Sequence, residues 1–216
     1  MKRSKRLFDL AASAAGLLLS APLFALAALL IKLDDGGPVF FRQERIGCRG
    51  RPFMIWKLRT MVPGAETKGG QLTAAGDGRI TRAGKLLRRA KLDELPQLLN
   101  VFLGEMSLVG PRPEVARYVA LYSDEQRRVL EQVPGITDPA SLKYRHEDEL
   151  LARSPDPEKT YCEEIMPDKI RRNLAYAARA NLFTDFTVIL GTIFRLGLPR
   201  LYEKEAPGPV NRDAPL

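Results

Sequence analysis

Histidine is almost absent. The chain of 216 residues has one, His146, and two cysteines, Cys48 and Cys162, which stand in no metal-ligand spacing. A zinc centre of the usual histidine and cysteine kind therefore has no ligand set. Serine–histidine–aspartate catalysis would have to pass through that single imidazole, and no G-x-S-x-G elbow is present. The cysteines carry no disulfide pattern, in keeping with a reducing compartment. Aromatic residues make up only 7% of the chain. It has neither an RNP-type aromatic motif nor zinc-finger spacing, which argues against a nucleic-acid binder. Internal repeats and low-complexity tracts are also missing. The length allows one ordinary domain with appendages.

What is present is positive charge, unevenly placed. The net charge is +8; residues 1–113 hold 19 Lys/Arg against 9 Asp/Glu, whereas residues 114–216 hold 15 against 17. The basic half favours anionic partners: phosphates, nucleic acid or anionic lipid headgroups.

That half begins with an apolar run. Residues 10–31 are 22 positions without a charge. A straight helix of that length is roughly 33 Å long, enough to cross a bilayer core. Three readings are open. A cleaved signal peptide has the basic start (Lys2, Arg3, Lys5, Arg6) and an Ala25-Leu26-Ala27 cleavage mimic, but Asp9 enters the run early and apolar residues continue to Leu33. A simple transmembrane span has Lys/Arg-rich flanks on both sides, against the usual asymmetry. A re-entrant helix would keep both flanks on one face. For it, Pro22 breaks or kinks the helix, and Ser20 bonds a freed carbonyl.

After Gly36-Gly37-Pro38, residues 39–46 and 52–61 read as the strands of a hairpin around Gly47-Cys48-Arg49-Gly50. Lys57 and Arg59 fall on one strand face by period two. Residues 64–78 are a Gly-rich, polar loop. Thr81 caps a short basic helix through Ala90 that carries Arg82, Lys85, Arg88 and Arg89.

Next come two adjacent carboxylates, Asp93 and Glu94. Asp93 reads as a helix N-cap with Pro96 as the third helical residue, and Leu95, Leu98, Leu99 and Phe102 as one buried stripe ending at Gly104. Taken alone, the pair is most simply a cap. The same position also suits chemistry, because a helix N-terminus binds anions and keeps a carboxylate ionised, ready to attack phosphorus. Gly110-Pro111-Arg112-Pro113 is a stiff turn that presents one guanidinium, a group suited to gripping phosphate oxygens in a bidentate manner.

Further on, residues 114–132 read as an amphipathic helix with Val115, Val119 and Tyr122 on one side. Residues 154–167 read as a proline-rich connector, and 168–181 as a helix. Residues 182–196 are apolar but short for a span, which leaves core packing and an interfacial position both open.

The ordered set of motifs resembles the bacterial sugar transferase family, the monotopic phosphoglycosyl transferases. The matching pieces are the basic start and apolar segment with its mid-segment proline, Gly37-Pro38-Val39-Phe40-Phe41-Arg42-Gln43-Glu44-Arg45, Lys57-Leu58-Arg59-Thr60-Met61, Leu92-Asp93-Glu94-Leu95-Pro96-Gln97, Met106 to Pro113, and Pro134-Gly135-Ile136-Thr137. The resemblance implies transfer of a sugar-1-phosphate from a UDP-sugar to polyprenol (undecaprenyl) phosphate, with release of UMP. It implies Asp93 as nucleophile, Glu94 as its partner, and both as ligands of Mg²⁺. It implies Arg112 and Arg145 on substrate phosphate, with Lys57, Arg59 and Arg88 as weaker candidates. The fold it implies is α+β, mainly helical with a small β-hairpin. Residues 1–35 would be a re-entrant membrane helix broken near Ser20 and Pro22. Residues 36–200 would be a cytoplasmic catalytic domain with amphipathic interfacial helices at the bacterial inner membrane, and 201–216 a flexible tail. Oligomeric state stays open, a homodimer included. The chain departs from the family pattern after Thr137. Many members continue Gly-Leu-Ala-Gln-Val-Asn-Gly-Arg, and this chain has Asp138-Pro139-Ala140-Ser141-Leu142-Lys143-Tyr144-Arg145, which bears on sugar or nucleotide preference.

Overall fold

A single long helix opens the structure. The computed structural model describes residues 2–67, 72–73 and 75–197; the expected tail at 201–216 and part of the loop at 64–78 lie outside the described residues. Helix α1, Arg3–Asp35, is 33 residues long, contains Pro22, and stops at Gly36 in the left-handed region (φ 70°). From the sequence a break is expected at Pro22, but the helix is continuous through it. Ser20 does not serve the Leu18 carbonyl, which the proline leaves without a donor. Its hydroxyl donates to Gly16 O at 2.6 Å and Leu17 O at 3.3 Å, in the preceding turn. Among the described residues α1 is the one helix long and apolar enough to cross a membrane. Leu18 and Leu19 are more than three-quarters exposed, and Leu26, Leu29 and Leu33 are also exposed.

Strands β1 (Phe40–Ile46) and β2 (Pro52–Leu58) form the expected antiparallel hairpin, registered from Phe40↔Leu58 to Ile46↔Pro52. Its turn puts Arg49 and Gly50 at positive φ. Helix α2 (Arg82–Arg89) starts where the sequence indicates, with Thr81 Oγ1 accepting the Gly84 N–H at 3.0 Å.

Around the carboxylate pair the local reading changes. Asp93 is not a helix cap. It lies in a 3-10 turn, Leu92–Glu94, entered through Lys91 in the left-handed region (φ 55°). Helix α3 (Gln97–Leu103) has Pro96 at its N-cap and ends at Gly104 as expected. Nor is its buried face the leucine stripe: Gln97, Asn100 and Val101 are buried, and Phe102 is exposed. Asn100 explains the inversion. Its side chain accepts the Trp56 N–H at 3.0 Å and donates to Met54 O at 2.8 Å, standing in for a neighbouring strand along β2.

Strands β3 (Ser107–Val109) and β4 (Gly135–Thr137) form a short parallel pair. Between them, residues 114–132 are not one helix. They form α4 (Ala116–Val119), α5 (Asp124–Arg127) and a 3-10 turn, because Ser123 and Gln126 make a capping box that restarts the helix. Val115, Val119 and Tyr122 still enter the main core, with Tyr118, Tyr161 and Ile165. Helices α6 (Pro139–Lys143) and α7 (Glu147–Arg153) follow. The expected connector at 154–167 is largely helical. Helix α8 (Pro157–Thr160) and a π turn (Tyr161–Ile165) run into α9 (Met166–Ala177), with Pro157 and Pro167 in first-turn positions that tolerate a missing N–H. In α10 (Leu182–Gly197), Asp185 and Val188 are buried, whereas Phe183, Phe186, Ile193 and Phe194 are exposed, so most of its apolar face lies outside the core.

Both ends of α1 are fastened to this domain. Near the N-terminus, Lys5 donates to Val109 O at 3.1 Å and pairs with Asp185. Arg6 donates to the carbonyls of Val101 and Phe102, at 2.6 and 2.7 Å. Asp9, fully buried, accepts the Ser107 hydroxyl at 2.8 Å and the Leu108 N–H at 3.2 Å. At the other end Asp34 accepts the Ala83 N–H at 2.8 Å, and Asp35 pairs with Arg59. Ala27 and Ile31 pack against Leu58, Ala83 and Leu87.

The β3–β4 pair depends on two glycines. A Cβ at Gly135 would lie inside contact distance of the Gly110 backbone, and one at Gly110 inside that of Val133 O. Gly135→Ala is therefore expected to cost about 1–3 kcal/mol through overpacking, read as a lowered thermal midpoint in detergent. Gly78→Ala, in open space, should leave the midpoint in place. Equal midpoints for the two variants would contradict the close approach.

Candidate active site

The site is where three segments meet: the end of β2, the turn carrying Asp93 and Glu94, and the loop after β3. The loop is stapled to β4 by Gly110 N–H to Thr137 O and Gly135 N–H to Pro111 O, both 3.0 Å. This carries Arg112 to Glu94. Its guanidinium grips both carboxylate oxygens, one through Nη1 at 2.9 Å and the other through Nη2. Lys57 Nζ stands 3.8 Å from the same carboxylate. Asp93, only 9% exposed, has its Oδ1 buried without a hydrogen-bond partner. One turn on, the Nε2 of buried Gln97 is also unpartnered.

The two carboxyls thus have opposite electrostatics. Burial raises the pKa of Asp93, and the neighbouring Glu94 charge raises it further; Lys57, Arg88 and Lys91 pull against this and do not win. Burial would also raise Glu94, but the charges of Arg112 and Lys57 overcome it and hold its pKa well below the ordinary range. Burial pushes the Lys57 ammonium down to about 8, with Glu94 opposing. Glu94 is therefore held ionised by its partners, whereas ionisation of Asp93 is opposed by burial and by Glu94, with no helix end to favour it.

The expected residues sort into two groups. Glu94, Arg112 and Lys57 converge, and the charge of Arg88 bears on Asp93 while its Nε donates to Thr60 Oγ1 at 2.8 Å. Arg145 lies half-buried in the turn after α6. Arg59 is placed elsewhere. It is 5% exposed and directed to Asp35, Pro38 O and Met61 O, so it fastens α1 to the hairpin instead of facing the carboxylates. Period two fails for it because β2 ends at Leu58. Arg45 went unassigned in the sequence. It donates to Pro113 O at 3.2 Å and Glu114 at 3.1 Å, bracing the loop from β1. An arginine in an edge strand of a basic chain carries no distinguishing local signal.

Among the described residues no group of three or more His, Cys, Asp or Glu side chains could hold a metal ion. The unpartnered Asp93 Oδ1 is a hard oxygen donor, and Glu94 adjoins it. Two carboxylates suit magnesium, which commonly takes one or two and leaves its other positions to phosphates and water.

The structure thus joins an apolar helix, docked at both ends, to a domain where carboxylates and cations converge. Comparison makes the identity finer. The profile described as bacterial sugar transferase matches residues 1–197, and the chain belongs to that family. An uncharacterised sugar transferase of Bacillus subtilis is 43% identical over 142 residues, covering 66% of this chain and 69% of that protein. A UDP-glucose:undecaprenyl-phosphate glucose-1-phosphate transferase of Caulobacter vibrioides is 39% identical over 193 residues, covering 88% and 68%. A UDP-N-acetylgalactosamine-undecaprenyl-phosphate N-acetylgalactosaminephosphotransferase of Aeromonas hydrophila is 35% identical over 194 residues, covering 88% of this chain and 42% of that protein.

The opposed carboxyls predict opposed stability effects. The pKa of Asp93 lies above its unfolded value, so its ionised form opposes folding and stability falls as pH rises through the raised pKa. Glu94 lies below its ordinary 4.5, so its contribution is present above that value and is lost as pH falls. At pH 7, Asp93→Asn is expected to raise the thermal midpoint by about 2–4 °C, and Glu94→Gln to lower it. A drop in both variants would refute the division.

Proposed function

We propose that this chain transfers a sugar-1-phosphate from a UDP-sugar to a polyprenol phosphate and releases UMP. One observation carries the reading. A buried Asp93 with a free oxygen lies beside a Glu94 already matched to Arg112 and Lys57, in a chain whose relatives include proteins named for transfers to undecaprenyl phosphate. In this reading an Asp93 oxygen attacks the β-phosphorus of the donor. The new O–P bond forms as the bond from that phosphorus to the oxygen bridging the α-phosphate breaks, and UMP leaves with the electron pair. A phosphate oxygen of the polyprenol phosphate then attacks the same phosphorus, and the Asp93 carboxylate departs.

The chain's own residues prepare these steps. Donor phosphate competes with Glu94 for the Arg112 guanidinium, which presents its donors in a fork that suits either oxyanion. Lys57 and Arg88 add positive charge where phosphate accumulates. The charges of Lys57, Arg88 and Lys91 favour the ionised, nucleophilic form of Asp93. Bound Mg²⁺, held by Asp93 and by a released Glu94, would offset phosphate charge. Against the alternative of a non-catalytic adaptor stand relatives named as sugar-phosphate transferases.

The same reading seats α1 in one leaflet of the bacterial inner membrane, with both ends and the domain on the cytoplasmic face. It is supported by the anchors at both ends of α1 on one domain and by the exposed apolar face of α10, which Lys5 ties to the start of α1.

The direct test mixes full-length protein, Mg²⁺, polyprenol phosphate and a panel of UDP-sugars, and follows UMP. Asp93→Ala and Asp93→Asn should fall to background; full turnover in either would remove Asp93 as nucleophile. As pH rises through about 8 the Lys57 ammonium is lost, so kcat/KM, which reports the free enzyme, should decline there. Lys57→Arg keeps its charge and should abolish that decline; an unchanged decline would clear Lys57 of the role. Single-cysteine labelling before and after α1 should mark the same side of the membrane, and opposite-side labelling would rule out the one-leaflet placement.

A further inference from the structure

Asp138 follows β4 directly and caps α6. It is completely buried. Its Oδ1 accepts the Ser141 N–H at 2.8 Å, capping α6. Its Oδ2 accepts the Ser141 hydroxyl at 2.9 Å and, across the β3–β4 pair, the backbone N–H of Arg112 at 3.2 Å. The loop that carries Arg112 is therefore held to residues 135–138 by three bonds: two between backbones and a third from this carboxylate. The third is the one made to Arg112 itself. The negative charge of Asp138 also acts on the Arg112 guanidinium, in the same sense as that of Glu94.

We infer that Asp138 is a positioning residue for Arg112. Its carboxylate sets the backbone from which the guanidinium reaches Glu94 and, on the function proposed above, the donor phosphate. The cap and the clamp are separate jobs of separate oxygens. The side chain introduced by Asp138→Asn would keep a carbonyl oxygen for the Ser141 N–H, since asparagine caps as well as aspartate. It would turn its NH₂ toward the Arg112 N–H, setting donor against donor. Asp138→Asn therefore removes the clamp and keeps the cap.

The experiment is a double-mutant cycle in the full chain, with a radiolabelled donor chosen from the UDP-sugar panel so that weak turnover is still read. The four proteins are wild type, Asp138→Asn, Arg112→Ala and the double variant, with thermal midpoints measured alongside. Asp138→Asn is expected to lower kcat/KM about tenfold, with a lowered midpoint of similar size in both backgrounds, and to cost no further activity once Arg112 is alanine. An equal loss of activity in both backgrounds, with or without a lowered midpoint, overturns the inference and leaves Asp138 a helix cap. So does an Asp138→Asn protein as active as wild type. Failure of the underlying reading looks different: wild type would release no UMP, or Arg112→Ala would match it.

Discussion

The bidentate pair between Arg112 and Glu94 is the interaction on which the site depends. Two adjacent carboxyls in a buried turn cannot both be ionised cheaply. The guanidinium favours the charge on Glu94. With Glu94 satisfied, the burden of burial falls on Asp93, whose free oxygen and raised pKa make it the unstable member of the pair. Catalytic groups are often placed this way, at a cost to stability that the rest of the fold offsets. The geometry behind the pair is long-range. Gly110 and Gly135 let two backbones touch, Arg45 reaches Pro113 from the hairpin, and Asp138 holds the Arg112 amide.

Features set by local chemistry were legible in the sequence. The hairpin, the Thr81 cap, the Gly104 stop and the apolar first helix all follow from signals a few residues long. Errors came where tertiary partners overrode them. Leu98, Leu99 and Phe102 have helical spacing, yet Asn100 takes the buried face because it satisfies two backbone groups of β2. The span 114–132 has one apolar side, but Ser123 and Gln126 restart the helix within it. Strands of three residues, such as β3 and β4, are too short to show a period.

The site was legible to a similar degree. Asp93, Glu94 and Arg112 stand out because adjacent acids and a proline-flanked arginine are unusual strings. Lys57 stands out only through the family resemblance. Arg59 was misplaced by one residue of strand, and Arg45 carries no local mark. The basic and acidic residues around the apolar run read naturally as topological charges. Instead Lys5, Arg6, Asp9, Asp34 and Asp35 are bonded into the domain.

That last feature means α1 is not an interchangeable anchor. Removing it to obtain a water-soluble fragment would strip Ser107 and the Leu108 and Ala83 amides of these acceptors, take Asp35 from Arg59, and uncover the apolar surface around Leu58 and Leu87. Helix α1 and the domain are one folding unit, so replacing the helix would require rebuilding the wall of the domain it leans on.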